Sequence, residues 1–150
     1  MSLILYLQGN PGAFILLAGL VGLIVGSFLN VVIHRLPIVL QRQWRQEYAE
    51  LAGTPVEHAG AGGTYNLVWP GSCCPHCGHP ISALENIPLV SFLWLKGKCA
   101  ACAAPISWRY PLVELLSAAL TAVVAWHFGL TLAALAVIFL TWALIALTFI

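Results

Sequence analysis

The chain has 150 residues, of which 61% are hydrophobic and 7% are charged, and its formal net charge is +1. Soluble domains carry about 25% charged residues, so the composition excludes an ordinary soluble domain. The charge is too small to indicate nucleic acid as a partner. At this length we expect one membrane unit with one inserted polar region. The sequence contains no aspartate, and its five acidic residues are all glutamates.

The first predicted membrane span is the apolar run of residues 12–33. About 20 such residues cross a hydrocarbon core of about 30 Å. No Lys or Arg precedes Arg35, whereas a cleaved signal peptide has a basic start and a shorter apolar region, so we expect a retained helix. Two further apolar runs, at about residues 111–128 and 132–150, predict a second and a third span. These two should be antiparallel neighbours, because the segment between them is short.

The basic residues predict the orientation of the spans. All six lie between the first and the second span: Arg35, Arg42, Arg45, Lys96, Lys98 and Arg109. Basic residues near the ends of spans tend to stay in the cytoplasm. We therefore predict that the N-terminus lies outside and that the long loop lies in the cytoplasm.

The first part of this loop is predicted to be a helix followed by a linker. Trp44, Tyr48 and Leu51 recur at helical spacing within residues 41–51. The glycine-rich stretch that follows predicts a flexible link, and its glycines follow no predicted strand, so they do not indicate a phosphate-binding loop. The organisation that we expect is a first span (1–36), a cytoplasmic helix and linker (37–70), a zinc-binding insertion (71–110), and the second and third spans (111–150).

Two matched cysteine pairs stand in the insertion, in the segments CPHCGHPIS and CAACAAPIS. Four thiolates fit a tetrahedral zinc site, and the spacing of the pairs is close to a known zinc-binding pattern. The predicted ligands are Cys74, Cys77, Cys99 and Cys102. The sequence therefore predicts an all-α membrane protein with three spans and a ribbon-like, four-cysteine zinc insertion between the first two.

Other interpretations of the cysteines stay open. A thiol–disulfide exchanger could use C-x-x-C pairs, although it would need them outside the cytoplasm, and the cysteines could also bind nothing. Disulfides do not fit a cytoplasmic loop. We place His76 and His79 outside the metal shell because four cysteines complete it. Cys73 is expected to be a partly buried residue with no ligand role.

The predicted role of the zinc is structural. A segment as short as residues 73–109 cannot fold on a core of its own, and structural zinc contributes about 10–16 kcal/mol of apparent binding free energy to the folding of small modules. We expect the metal to close residues 78–98, which we call the lid, into a stiff segment between the ends of the first two spans.

Three segments of the chain carry a resemblance to a known family. They are GSFLNVVIHRLP at residues 26–37, CPHCGHPISALENIPLVSFLWLKGKCAAC at residues 74–102 and PISWRYPLVE at residues 105–114. Together and in this order they resemble the N-terminal part of the bifunctional type IV prepilin peptidases, which are bacterial inner-membrane enzymes. The four cysteines fall on the cysteine tetrad of that family.

The resemblance implies a two-step reaction. The family cleaves the leader peptides of prepilins and of type II secretion pseudopilins, and then methylates the new N-terminus with S-adenosylmethionine as the donor. Cleavage uses two membrane-embedded aspartates, one of them in a G-x-G-D motif. Paired carboxylates suit this chemistry because their proximity separates their pKa values.

This chain departs from the family pattern, since it has neither an aspartate nor a G-x-G-D motif. We therefore expect it to be the N-terminal half of such an enzyme, with no catalytic residue of its own and no peptidase activity alone. The alternative hypothesis is a complete membrane protein that uses its zinc-bound lid as a docking module for a pilus or a secretion apparatus.

Three residues are candidate contacts for the substrate or for methyl transfer: Glu114, Gly97 and Arg109. Glu114 lies one turn inside the second span, where an ionisable group is costly and indicates function. The other interpretation of Glu114 is a structural pair with Arg109 near the start of the helix. Gly97 is predicted to allow the tight turn into the second cysteine pair.

Polar residues also interrupt the end of the first span. We predict that Ser27 and Asn30 hydrogen-bond a neighbouring helix, as polar residues in spans commonly do. Arg35 is predicted to be an anchor at the membrane interface.

Overall fold

The computed structural model describes residues 3–53 and 65–150, and within them it contains five helices and no strand. Helix α1 covers Leu3–Gly9, α2 covers Pro11–Ala52, α3 covers Val90–Trp94, α4 covers Arg109–Phe128 and α5 covers Leu132–Phe149. Three of these, α2, α4 and α5, are long and apolar enough to cross a membrane. The predicted fold class is therefore confirmed, including the place of the cysteines between the first and the second of these helices.

The helix predicted for residues 41–51 forms, but it is the continuation of the first span. Helix α2 has 42 residues and runs through Pro37, so its length is about 63 Å at 1.5 Å per residue, twice a hydrocarbon core. Strong helix formers such as Leu, Gln, Arg and Glu follow the proline and favour the continuation. The helix ends at Gly53, whose φ of 62° and N–H bonds to Ala49 and Glu50 form a left-handed cap. Most of the predicted linker, residues 54–64 with the glycines at 60–63, lies outside the described residues.

Small residues bring α2 and α4 into close contact. A Cβ atom at Gly22 would lie 2.7 Å from Thr121 Oγ1, and one at Gly26 would lie 2.8 Å from Glu114 Cα. On the facing side of α4, Ser117 and Thr121 are buried. Small residues at such spacing let two membrane helices approach until their backbones touch.

Helices α4 and α5 form the predicted antiparallel pair. Thr131 caps α5 by accepting the N–H of Ala134, as a threonine at an N-cap does. The Trp142 Nε1–H donates to Thr121 Oγ1 at 3.0 Å, and Arg109 at the start of α4 donates to the Phe149 carbonyl at the end of α5. A small apolar core joins the three long helices, and its members are Leu29, Ile33, Val113, Ile145 and Ala146.

Candidate metal centre and adjacent cavity

The two cysteine pairs fold into the same local structure. In the first, the Cys74 N–H donates to the His79 carbonyl at 2.9 Å and the Gly78 N–H donates to the Cys74 carbonyl at 2.9 Å. In the second, Cys99 and Ala104 form the equivalent bond at 2.8 Å. Each knuckle is closed by one isolated antiparallel bridge, Cys73 to Pro80 and Lys98 to Pro105. The repeated C-x-x-C-x-x-P-I-S sequence therefore encodes a repeated turn.

The two turns bring the four cysteines together. Their Sγ atoms all lie within 4.8 Å of one another, with Cys74 and Cys102 at 3.8 Å and Cys77 and Cys99 at 4.0 Å. A tetrahedron with Zn–S bonds of about 2.3 Å has edges of about 3.8 Å. The four sulfurs therefore have the number and the separation that a tetrahedral metal requires, and the cysteines are free of disulfides.

The backbone of the first knuckle favours a thiolate at Cys74. The backbone N–H of His76, with that of Cys77, lowers the pKa of the Cys74 thiol to about 7. At Cys77 the N–H of His79 also favours the thiolate, but burial and the neighbouring sulfurs outweigh it and raise the pKa of that thiol to about 12. Four sulfurs this close cannot all hold negative charge without a cation, and a metal ion supplies that cation.

The residues beside the cluster have other partners. The His79 Nε2 lies 3.2 Å from Glu85 Oε1, and Glu85 Oε2 accepts the Ser82 N–H at 2.8 Å. The N–H of Ser82 and, less strongly, the nearby imidazole hold the pKa of the Glu85 carboxyl below its usual value. Cys73 is exposed, so the prediction that it is partly buried was wrong.

Glu114 connects the lid to α4, and it does not pair with Arg109. Its Oε2 accepts the backbone N–H of Leu89 at 2.9 Å, and Leu89 has a φ of 58°, which is unusual for a residue with a side chain. Ser27 of α2 lies beside the same carboxylate. The suggested structural pair with Arg109 was wrong, because that guanidinium bonds the end of α5 instead. No pattern in the sequence pointed to Leu89 as the partner.

Gly97 forms the tight turn that its position predicted. Its φ is 68°, and a Cβ there would lie 3.1 Å from the Phe92 ring. Its N–H donates to the Phe92 carbonyl at 2.8 Å, and its carbonyl accepts the Ile106 N–H at 2.7 Å. Gly97 therefore holds the end of α3 against the start of the second knuckle.

A cavity of about 540 Å³ lies between the insertion, α2 and the start of α4. Its lining includes Glu114, Asn30, His34, Phe92 and Cys99, whereas Gly97 and Arg109 are not part of it. The Asn30 side chain donates to the Tyr110 carbonyl at 3.1 Å, which confirms the predicted bond to a neighbouring helix. The volume is within the range of about 300–1,000 Å³ that is typical of sites for small molecules.

Arg35 also lines this cavity and is not an interface anchor. It is 7% exposed, and it donates to the Asn66 carbonyl at 3.2 Å while lying 5.8 Å from the Tyr65 ring centroid. The prediction was wrong because residues 65–71 fold over this part of α2 and remove Arg35 from the surface. Among the described residues, no carboxylate forms an ion pair with Arg35.

These features define a multi-pass membrane protein with a four-cysteine cluster, able to hold a metal ion, between its first two spans. The family model of the bacterial peptidase A24 N-terminal domain matches residues 20–128, and the chain belongs to this family.

Three relatives that are at least 50% identical to this chain share the same name. The "Prepilin leader peptidase/N-methyltransferase" of Stutzerimonas stutzeri is 56% identical over 97% of this chain and 50% of its own length. The proteins of the same name from Pseudomonas aeruginosa and Burkholderia pseudomallei are 55% identical over 100% of this chain and 50% identical over 85% of it. The chain spans about half the length of the curated relatives that it matches. No solved structure matches the chain.

Proposed function

We propose that this chain is the N-terminal portion of a bacterial inner-membrane enzyme that cleaves leader peptides from prepilins and pseudopilins and then methylates the new N-terminus. The observation that carries the proposal is identity of 55% over 100% of this chain with a relative of that name, together with the four-cysteine cluster. Such an enzyme serves a type IV pilus or a type II secretion apparatus.

The peptidase chemistry would depend on residues outside this chain. Hydrolysis by an aspartic mechanism needs two close carboxyl groups, one as the base and one as the acid, and the chain has no aspartate. We assign to this chain the positioning of the substrate rather than bond cleavage. Alone, it is expected to have no peptidase activity.

The proposed metal is zinc, held by Cys74, Cys77, Cys99 and Cys102. All four ligand positions belong to the protein, and a closed shell of this kind is typical of structural zinc rather than of catalytic zinc. The metal would hold the two knuckles together and thereby the lid between them. The separations of the sulfurs support this assignment.

The proposed methyl donor is S-adenosylmethionine, bound in the cavity. When bound, it supplies an electrophilic methyl group on a positively charged sulfur. Glu114 is a suitable counter-charge, because its carboxylate lines the cavity and one of its oxygens is held by the Leu89 N–H. Gly97 would act indirectly by setting the position of the Phe92 ring, which lines the same cavity. A contact of Arg109 with the substrate stays a prediction.

The charge of Glu114 can be tested without removing its structural bond. In Glu114→Gln the side-chain oxygen still accepts the Leu89 N–H, while the negative charge is lost. We expect binding of S-adenosylmethionine to weaken by about tenfold, since a charge interaction of about 1.5 kcal/mol corresponds to that factor. Binding of S-adenosylhomocysteine, whose sulfur carries no charge, should change little. Calorimetry on the chain in lipid nanodiscs measures both. An unchanged ratio of the two affinities would show that Glu114 is structural.

The proposed orientation places the N-terminus in the periplasm and the insertion in the cytoplasm. It is supported by the positions of the six basic residues, all between the first two spans. In a Cys73→Ser background, Tyr48→Cys should react with a membrane-impermeant maleimide in inverted vesicles, and Ser2→Cys should react in intact spheroplasts. The opposite pattern would reverse the topology.

A chimera tests the proposed function directly. The chain joined to the remaining half of the Stutzerimonas stutzeri relative should cleave a prepilin in membranes that lack other prepilin peptidases, and the chain alone should not. Mass spectrometry of the product would show both cleavage and N-methylation. The docking-module alternative predicts that the chimera is inactive and that the chain alone co-purifies with a pilus or secretion apparatus.

A further inference from the structure

The lid contacts the N-terminal part of α4, the second membrane helix. The Leu89 N–H donates to Glu114 Oε2. Glu114 follows Arg109, the first residue of α4, by five positions, which is about 7.5 Å along the helix axis. Helix α4 has 20 residues, and a helix of that length covers a hydrocarbon core of about 30 Å with no surplus. Because helix side chains lean toward the N-terminus, the Leu89 backbone lies between the level of Glu114 and the level at which α4 begins.

Contacts between α2 and α4 indicate where the apolar layer of the membrane ends along both helices. Gly26 lies against Glu114, and Asn30 bonds Tyr110, so the two helices run antiparallel with residue 26 level with residue 114. The apolar run of α2 continues to Ile33, which is beyond the Asn30 contact. Both helices thus place Glu114 inside the apolar layer, and the lid residue bonded to it lies at the edge of that layer.

The outer face of the lid at this depth is apolar and exposed. Val90, Leu93 and Trp94 share one side of α3, at positions i, i+3 and i+4, and Leu93 and Trp94 are 72% and 77% exposed. On the other side, Phe92 faces the cavity and packs edge-on against Trp108, with ring centroids 4.9 Å apart. Val90, on the same side as Leu93 and Trp94, is 54% exposed.

The residues around this face have the chemistry of a membrane interface. Trp108, which is 76% exposed, precedes α4, and the exposed Lys96 and Lys98 follow α3. Tryptophans concentrate at the level of the lipid headgroups, and lysines beside them reach anionic headgroups while their stems stay in an apolar layer. Leucines near the start of α4, such as Leu112 and Leu115, are exposed as well.

We propose that the outer face of α3, formed by Val90, Leu93 and Trp94, inserts into the lipid bilayer beside the start of α4. The partner of this surface is the lipid itself: acyl chains against Leu93 and Trp94, and anionic headgroups against Lys96 and Lys98. The lid is then a re-entrant segment, and it closes the cavity against lipid as well as against α2 and α4.

Nitroxide accessibility tests the insertion. In a Cys73→Ser background with the metal bound, Leu93→Cys and Trp94→Cys are labelled in nanodiscs that contain anionic lipid. Collision rates with oxygen, which partitions into lipid, and with chromium oxalate, which stays in water, are then measured. Leu115→Cys on the exposed side of α4 is the lipid control, and Tyr48→Cys on the extension of α2 is the water control. The metal content of each variant verifies that the insertion is folded.

The expected oxygen-to-chromium ratio at positions 93 and 94 is close to that at position 115 and well above that at position 48. A ratio at both positions like that at position 48 would overturn the proposal by placing the face in water. Low accessibility to both reagents would also overturn it, because a protein surface and not lipid would then cover the face.

Discussion

Replacing Cys99 by serine is expected to remove the metal and to unfold the insertion. The substitution leaves three sulfurs, and the structural zinc of small modules supplies about 10–16 kcal/mol of apparent binding free energy to their folding. The insertion has little else to hold it together, since Cys74 is its one buried apolar side chain among the described residues. Elemental analysis of the purified wild-type chain should find about one zinc per chain, as a four-thiolate site requires, and the variant should contain almost none.

The same loss should be visible in the structure of the lid. Proteolysis between the two knuckles is expected to become rapid in Cys99→Ser, while the membrane helices stay intact because their contacts do not involve the metal. Cys73→Ser is the matched control, because Cys73 is exposed and is not one of the four clustered sulfurs. A reduced wild-type chain that folds without metal would contradict the assignment, and a reversible redox midpoint at the cysteines would favour the thiol-exchange hypothesis.

Adding one methyl group at Gly26 is expected to separate α2 from α4. The new Cβ would lie 2.8 Å from Glu114 Cα, which is a backbone atom, and 3.0 Å from Ser117 Cβ. Neither neighbour can turn away as a flexible side chain would. Overpacking of this kind costs about 1–3 kcal/mol, and it should exceed the gain of about 1 kcal/mol in helix propensity that alanine brings over glycine.

The consequence of Gly26→Ala should extend to the cavity, because Ser27 and Glu114 both line it. Thermal unfolding in detergent measures the stability, with Gly12→Ala as the control. Gly12 lies in the same helix, and a Cβ atom there would meet no heavy atom within 4 Å, so alanine should leave the unfolding temperature unchanged or raise it. Equal effects of the two substitutions would show that close contact at Gly26 is unimportant.

The local features of the metal site could be predicted from the sequence. Each C-x-x-C-x-x-P-I-S segment contains the residues of its own turn, so the pairing of Cys74 with Cys77 and of Cys99 with Cys102 is a short-range property. Two such turns can place their four sulfurs around one metal ion, and the four sulfurs lie close enough together to do so. The predicted turn at Gly97 is equally local, since its φ of 68° is one that glycine tolerates best.

The membrane helices were predictable for a similar reason. The thickness of the bilayer sets the length of a membrane helix, and its apolar interior sets the composition. The short connection between α4 and α5 leaves an antiparallel hairpin as the simple outcome. Helix α2 was predicted less well, because its polar extension continues the apolar span through Pro37. Whether a helix continues past the membrane depends on the helix propensity of the polar residues and not on the lipid.

The sequence by itself determined the number of spans, the place of the insertion and the identity of the four clustered sulfurs, because hydropathy and short-range spacing decide these properties. The tertiary structure alone decided that Glu114 holds Leu89 rather than Arg109, that Arg35 is buried, and that Phe92 of α3 packs against Trp108 before α4. Each of these depends on which residues of distant segments meet: Gly22 and Gly26 allow α2 and α4 to touch, and residues 65–71 cover Arg35. Spacing along the chain does not encode those contacts.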